Sequence, residues 1–425
     1  MKKKNILLLS IGGLVSLVLL CSLLVYAFRL QNKQDEIDEI NNNNSIELAD
    51  SNSDDLQDRE DTPDTDKEAE EVPQETPLDN SHLETDEDPD YELSPHDNED
   101  DINDEADNLD HPIILAFAGD INLDENSKPV AKYDREKKGI LGGISEELVS
   151  EMNDADIMML NNEFAYSTRG TKTPDKSYTF RANPDRVDIL KEMGVDIVSL
   201  ANNHALDYGP DALMDTFTTL DNAGIDYVGA GENLDRAKAP IYYEIGDKKI
   251  AYLASSRVIF AMDWYATEDR PGMVGTYDPA QLLESIKEAS ANSDYVVVYV
   301  HWGVERNHYP EKYQKSFARA YIDAGADIVI GCHPHVMQGF EIYKGKPIAY
   351  SLGNYWFNSS KRESSLLKVF LDPNGSLRTQ LLPVMNNNTY TYLITDEKSK
   401  KDYYDFMEEI SFDVSFDEDG FIYQE

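Results

Sequence analysis

The sequence predicts an α/β domain, with strands sandwiched between helical layers, set behind one N-terminal apolar helix and a long acidic stretch. Three observations predict it. From residue 111 onward, short Val- and Ile-rich runs alternate with stretches of helical spacing. Near the N-terminus an almost unbroken apolar run covers Ile6 to Phe28. Between the two, residues 30–110 carry 32 acidic and 3 basic residues, a net of -29 within the chain's -44.

Lys2, Lys3 and Lys4 precede the apolar run. About 20 apolar residues cross a hydrocarbon core roughly 30 Å thick, whereas a cleaved signal peptide has an apolar region of about 7 to 15 residues. Residues 1–29 are therefore expected to be an uncleaved membrane anchor. Cleavage after Ala27 and lipidation at Cys21 are the competing fates, the second disfavoured by the bulk of Leu20. Positive charge stays inside, so the expected protein is single-pass at the cell membrane with its C-terminal domain extracellular.

Residues 30–110 interleave the acidic residues with Asn, Ser, Thr and Pro. Such a composition buries too little apolar surface to offset chain entropy, so a disordered, self-repelling linker is expected. A solvated spacer is the plain reading; binding cations or threading a cell-wall polymer is the specific one.

Residues 111–425 hold 50 acidic and 31 basic residues in 315, with Val, Ile, Tyr and Phe in clusters. That length buries a sizeable core, and no Pro-, Gly- or Ser-rich break divides it, so one domain is expected. A net of -19 argues against nucleic acid, which needs clustered Lys and Arg. Cys21 and Cys332 are the two cysteines, and no intrachain disulfide is expected.

Seven apolar runs read as buried strands: 113–118, 157–160, 197–200, 250–254, 295–300, 328–330 and 348–350. They are short, rich in Val and Ile, and bounded by Gly, Asp or Asn. Stretches 210–223, 279–291 and 310–324 have helical spacing and open with Pro210, Pro279 and Pro310, which suits a first turn. Gly224 and Gly325 follow two of them at the left-handed closing position. Leu366 to Val384, with its Pro373-Asn374-Gly375 turn, reads as a hairpin.

Open α/β sheets bind ligands at the C-terminal ends of their strands, and polar residues gather there. Gly119-Asp120-Ile121-Asn122, Asn161-Asn162-Glu163, Asn202-Asn203-His204 with Asp207, His301-Trp302-Gly303 and His333-Pro334-His335 follow five runs. Alone, Asp120 is a turn or cap residue and His301 a hydrogen-bonded core histidine; together they read as metal ligands. His333 and His335, two apart on an extended segment, face one side and suit one or two divalent ions. Glu163 and Asn203 either ligate metal or brace loops. Carboxylate, amide and imidazole without thiolate favour Mn, Fe or Zn over Ca or Cu, with Cys332 expected to point into the core. His204 stands beside Asn203, placed to donate a proton or contact substrate; Asp207 either orients it or caps a helix.

These segments, in order and with Asn203-His204-Ala205-Leu206-Asp207-Tyr208-Gly209, His335-Val336 and Tyr350-Ser351-Leu352-Gly353-Asn354, resemble the CapA family of poly-γ-glutamate capsule biosynthesis proteins from about Ile113 to about Asn358. That family is similar to calcineurin-like metallophosphoesterases. The resemblance implies a four-layer αββα sandwich, with Asp120, Glu163, Asn203, His301, His333 and His335 at metal-ligand positions and His204 at the proton-donor position. Asn122 departs from the pattern, which has histidine there, and leaves one metal position weaker or empty. Residues 257–272 read as an insertion folding over the site as a lid. Arg257, Arg270 and Arg306 are candidates for gripping a carboxylate or phosphate.

Three functions follow as alternatives: a metal-dependent hydrolase or transferase acting on a phosphate ester or amide; a non-catalytic subunit handling poly-γ-glutamate or another cell-surface polymer beside membrane synthase subunits; or a surface protein whose metals only hold loops. The acidic surface sits awkwardly with a polyanionic product unless metal ions or arginines intervene.

Overall fold

The computed structural model describes residues 111–425; the expected anchor (1–29) and acidic linker (30–110) lie outside the described residues. No helix among the described residues is long and apolar enough to cross a membrane. The fold is mixed α/β. Its first sheet contains β1 (Ile113–Ile121), β2 (Ile157–Asn162), β3 (Ile197–Ser199) and β4 (Asp226–Val228), mutually parallel. A second, six-stranded sheet contains β5 (Ile241–Ile245), β6 (Lys248–Ser256), β7 (Tyr295–His301), β8 (Ile328–Cys332), β9 (Met337–Tyr343) and β10 (Lys346–Leu352), in the order β9-β10-β8-β7-β6-β5.

The chain then returns to the first sheet. Asn354–Trp356 (β11) pairs parallel with the end of β1, on the edge away from β2, and the long hairpin of β12 (Arg362–Leu371) and β13 (Leu377–Asn386) adds antiparallel along the rest of that edge, followed by β14 (Thr391–Leu393). All seven apolar runs are strands. The hairpin extends past both expected ends, because Arg362 to Leu371 stay in register with Asn386 to Leu377.

The apolar runs are continuous because the strands are covered on both faces. On β7, Tyr295, Val297 and Tyr299 enter the core between the sheets, while Val296, Val298 and Val300 pack outward with helices α1 (Ala280–Ser290) and α2 (Lys312–Ala324) through Leu282, Ile286, Tyr321 and Ile322. Beside the first sheet, Leu148, Met152, Leu190, Leu213 and Phe217 come from helices at Glu146–Asn153, Val187–Glu192 and Pro210–Ala223. A hydrogen bond from Tyr299 Oη to the Ala118 carbonyl, at 2.7 Å, ties the two sheets together.

Helix caps follow the sequence signals. Gly224 and Gly325 close their helices with φ of 71° and 120°, and Pro210 is the first residue of its helix. Pro279 and Pro310 instead stand just outside theirs; Glu311 and Gln314 form the capping box that starts α2. At the opposite end from the site, an aspartate precedes each of several parallel strands and accepts from its neighbour's backbone. Asp156 takes Ile114 N–H at 2.7 Å, Asp196 takes Met158 N–H at 2.7 Å, and Asp327 takes Val296 N–H at 2.9 Å. These bonds satisfy first-strand donors and fix register.

Candidate metal centre

The C-terminal ends of β1, β2 and β3 in one sheet, and of β7 and β8 in the other, meet at one place. Asp120 gets there because β1 ends against Gly353: the Asp120 N–H donates to the Gly353 carbonyl at 3.0 Å, and a Cβ on Gly119 would lie 1.9 Å from that oxygen. Glycine is required by that close approach. Asp120 Oδ1 accepts from Asn161 Nδ2 at 2.8 Å, and Oδ2 accepts from His333 N–H at 3.2 Å.

Glu163 is the centre of the cluster. Its side chain is fully buried, and neither carboxylate oxygen has a hydrogen-bond partner. Around Oε1 stand three imidazole Nε2 atoms, those of His204 and His301 at 3.8 Å and of His335 at 3.9 Å. Each of these rings is held from behind at Nδ1. Asp207 Oδ2 lies 2.6 Å from that atom of His204, Asn354 Oδ1 2.7 Å from that of His335, and Cys332 Sγ 3.2 Å from that of His301. The Nδ1 partner sets the tautomer and so which nitrogen is offered inward. Asn203 Oδ1 lies 2.8 Å from His301 Nε2, and His333 Nδ1 is buried without a partner. His333 (φ 97°) and His335 (φ 57°) both have left-handed backbone, conformations that cost energy and persist only where surroundings impose them.

Electrostatics follow from burial. Burial, reinforced by the charge of Asp120, pushes Glu163 well above the usual carboxylate range. Burial also acts to raise Asp120, but hydrogen bonding and charge from His335 outweigh it and hold Asp120 low. Burial lowers His301, with His333 adding to the effect, and takes His333 down to about 3. His335 goes the other way: burial opposes its charge, yet Glu163 and Asp120 raise it to about 10. Ionising Glu163 in this buried place, beside the charge of Asp120, is costly unless a cation offsets it. The donor set fits a divalent ion: Glu163, His333 and His335 offer ligand atoms within 4.8 Å of one another, and so do Asp120, His301 and Cys332.

Asp207 does not cap the helix that starts at Pro210. It holds His204, accepts from Phe180 N–H at 2.7 Å, and pairs with Lys176 at 2.5 Å. Lys176, whose side chain is only 8% exposed, also reaches the Asn203 carbonyl at 2.6 Å and His204 Nδ1 at 3.0 Å. Burial lowers the Lys176 ammonium, against the pull of Asp207, and burial with Lys176 takes His204 down to about 4. Phe180 lies over the His204 ring, centroids 4.2 Å apart.

Lys176 and the bracing roles of Asn161 and Asn354 escape the sequence, whereas Cys332 lies in the core as expected. Lys176 sits in an aperiodic loop and acts through a partner 31 residues away; no local signal marks it. Strand alternation did mark Cys332, since Ile328, Ile330 and Cys332 share the inter-sheet face.

The other expected residues lie elsewhere. Asn122 is buried, with its Oδ1 taken by Asp124 N–H at 2.8 Å in a local turn. Arg257 is packed against Tyr277, Tyr313 and Phe317, the last two on α2, with Nη1 on the carbonyls of Thr276 and Tyr277. It thus faces the helices, one residue out of phase with the inter-sheet side. Arg270 donates to the Tyr265 carbonyl at 3.1 Å, within its own loop. Arg306 is exposed, its backbone N–H on the Pro334 carbonyl at 2.8 Å beside the histidine pair. Within 257–272, Trp264 is buried and Lys176 Nζ lies 5.4 Å from its ring, so this segment borders the site.

Fold and cluster define the class: a mixed α/β protein with candidate metal-ligating groups where the ends of two facing sets of parallel strands meet. Residues 114–359 match the family described as bacterial capsule synthesis protein PGA_cap, and the chain belongs to that family. It is similar to the capsule biosynthesis protein CapA of Bacillus anthracis, 37% identical over 49% of this chain and 52% of that one. It is also similar to the PGA biosynthesis protein CapA of Bacillus subtilis, 38% identical over 50% of this chain and 57% of that one. The chain thus spans about half the length of the curated relatives it matches. Among solved structures, a hypothetical protein from Thermus thermophilus aligns over 66% of this chain and 100% of its own at 17% identity, with a TM-score of 0.41. A likeness that slight carries no weight in reading the site.

Proposed function

We propose that this is a membrane-anchored, extracellular protein of poly-γ-glutamate capsule biosynthesis or export, whose strand-end cluster is a metal-dependent hydrolase-type site in a four-layer αββα domain of metallophosphoesterase kind. The family supports the pathway. One observation carries the site: the buried Glu163 carboxylate with both oxygens unpartnered, ringed by three imidazole nitrogens.

Asp120, Glu163, Asn203, His301, His333 and His335 would hold one or two ions of Mn, Fe or Zn. Bound there, a divalent ion supplies charge stabilisation for a phosphoryl or acyl oxygen and a nucleophile at neutral pH. His204 is the proton-handling residue. Asp207 holds its Nδ1, Phe180 covers one ring face, and Nε2 points toward Glu163. Burial, with the charge of Lys176 offsetting that of Asp207, keeps this imidazole neutral at rest and so able to accept a proton.

The second reading, a non-catalytic polymer-handling subunit beside membrane synthase subunits, is favoured by that same neutrality, since a proton donor that rests unprotonated is a weak general acid. The two separate in one experiment on the full chain in detergent. Native protein and His204→Ala are loaded with Mn or Zn and assayed on a phosphodiester and on poly-γ-glutamate, with and without chelator. Turnover that chelation abolishes and His204→Ala lowers about 10²- to 10⁴-fold supports the hydrolase. Metal-replete native chain that turns over neither substrate leaves polymer handling.

A further inference from the structure

For His301 to bind a cation through Nε2, its ring proton must sit on Nδ1, and a buried Nδ1–H needs an acceptor. The hydrogen-bond network narrows the choice of that acceptor. His204 N–H donates to Asn202 Oδ1 at 3.0 Å, which fixes the Asn202 amide; its Nδ2 therefore donates to Asn161 Oδ1 at 3.1 Å. Asn161 is fixed in turn, with Nδ2 donating to Asp120 Oδ1 at 2.8 Å and lying 3.3 Å from His301 Nδ1. Asn161 thus presents a donor to His301 and cannot accept its proton. The other neighbour of Nδ1 is Cys332 Sγ at 3.2 Å, which has the Val300 carbonyl 3.8 Å away as an acceptor for its own S–H.

Sulfur is a weak acceptor, but one at hydrogen-bond distance from this buried ring nitrogen. The arrangement repeats what Asp207 does for His204 and Asn354 for His335, with a thiol in place of an oxygen. The Glu163 oxygens and His333 Nδ1, buried without protein partners, point independently to a cation at this place.

We propose that Cys332 is the positioning residue of His301: its sulfur accepts the Nδ1 proton and so presents Nε2 to a divalent ion. This rests on the metal reading given above.

The test uses the full chain in detergent, titrated with Co(II) and followed by its visible absorption, for native, Cys332→Ser and Cys332→Ala. Cys332→Ala is expected to bind Co(II) about 10- to 100-fold more weakly, the usual cost of losing a partner behind a ligating histidine. Cys332→Ser, which restores an acceptor, stays close to native. Metal-free thermal unfolding of each variant separates this effect from lost packing. In the Zn(II)-loaded native chain, histidine nitrogen NMR shifts must show His301 protonated at Nδ1, a readout that needs no variant. Equal Co(II) affinity in Cys332→Ala, or a proton on Nε2 of loaded His301, overturns the proposal while leaving the metal reading intact. An intense near-ultraviolet sulfur-to-cobalt band also overturns it, by making Cys332 a ligand. A native chain that takes up no Co(II) removes both.

Discussion

Glu163→Gln is the perturbation for which the structure gives a sharp number. In the metal-free protein the Glu163 carboxyl is buried and unpartnered, and held well above its ordinary range. It contributes little to folding, so the amide of nearly the same shape should leave the metal-free unfolding temperature unchanged or slightly higher. With metal the two proteins part. At a free metal concentration of 100 times the native Kd, binding adds about 2.7 kcal/mol. At about 2.1 cal/mol/K of unfolding entropy per residue, the 315 residues from His111 onward convert this to a rise of about 4 °C. If Glu163 is a ligand, its loss weakens binding at least as much as loss of an outer partner does, about 100-fold. The same metal concentration then adds only about 0.4 kcal/mol, a rise below about 1 °C. Calorimetry of both proteins with Mn(II) and with chelator reads this directly. A chelated Glu163→Gln protein melting several degrees below the chelated native one, or a full metal-induced rise in the variant, refutes the reasoning.

Other outcomes follow from the same structure. Lys176→Met leaves Asp207 buried with its charge partner gone, and should cost about 3 kcal/mol of stability; adding Asp207→Asn should recover part of it, measured as a double-mutant cycle in urea. Asp196 is raised by burial, with Asp226 adding repulsion, so its folded value exceeds its unfolded one. The penalty of its charge is therefore relieved at acid pH and appears as pH rises through that window. Asp196→Asn, whose oxygen can still accept from Met158 N–H, should be neutral to stabilising by up to about 1 kcal/mol at pH 7 and lose that advantage below about pH 4. Gly119→Ala drives a methyl into the Gly353 carbonyl and should cost about 3 kcal/mol or more, with metal affinity falling alongside because Asp120 is displaced.

Strand positions were legible because double-sided burial writes itself as unbroken Val and Ile runs, as in Tyr295 to Val300. The ligand-type residues were legible because strand ends in such folds converge, and Asp120, Glu163, Asn203, His301, His333 and His335 do meet. What stayed hidden depended on facing direction and on long-range pairing. Arg257 follows β6 by one residue, and the pleat turns it toward α2 instead of the site. Lys176 is a plain lysine in an irregular loop until folding lays it beside Asp207. Asn122 has the residue type of a weak ligand, but its oxygen closes its own turn on Asp124. The late strands β11 and β14 were missed because they are too short to carry a period; the helix Glu397–Ile410 does carry one, in Tyr403, Met407 and Ile410, behind a strongly charged first half.

The central claim is that the cluster around Glu163 binds divalent metal. Equilibrium dialysis of the full-length chain against Mn(II), Fe(II) and Zn(II), with elemental analysis, tests it most directly beside His333→Ala and Glu163→Gln. One or two equivalents are expected on the native protein, with a clear loss in both variants; a native chain that retains none, or variants that retain as much, contradicts metal binding at this cluster.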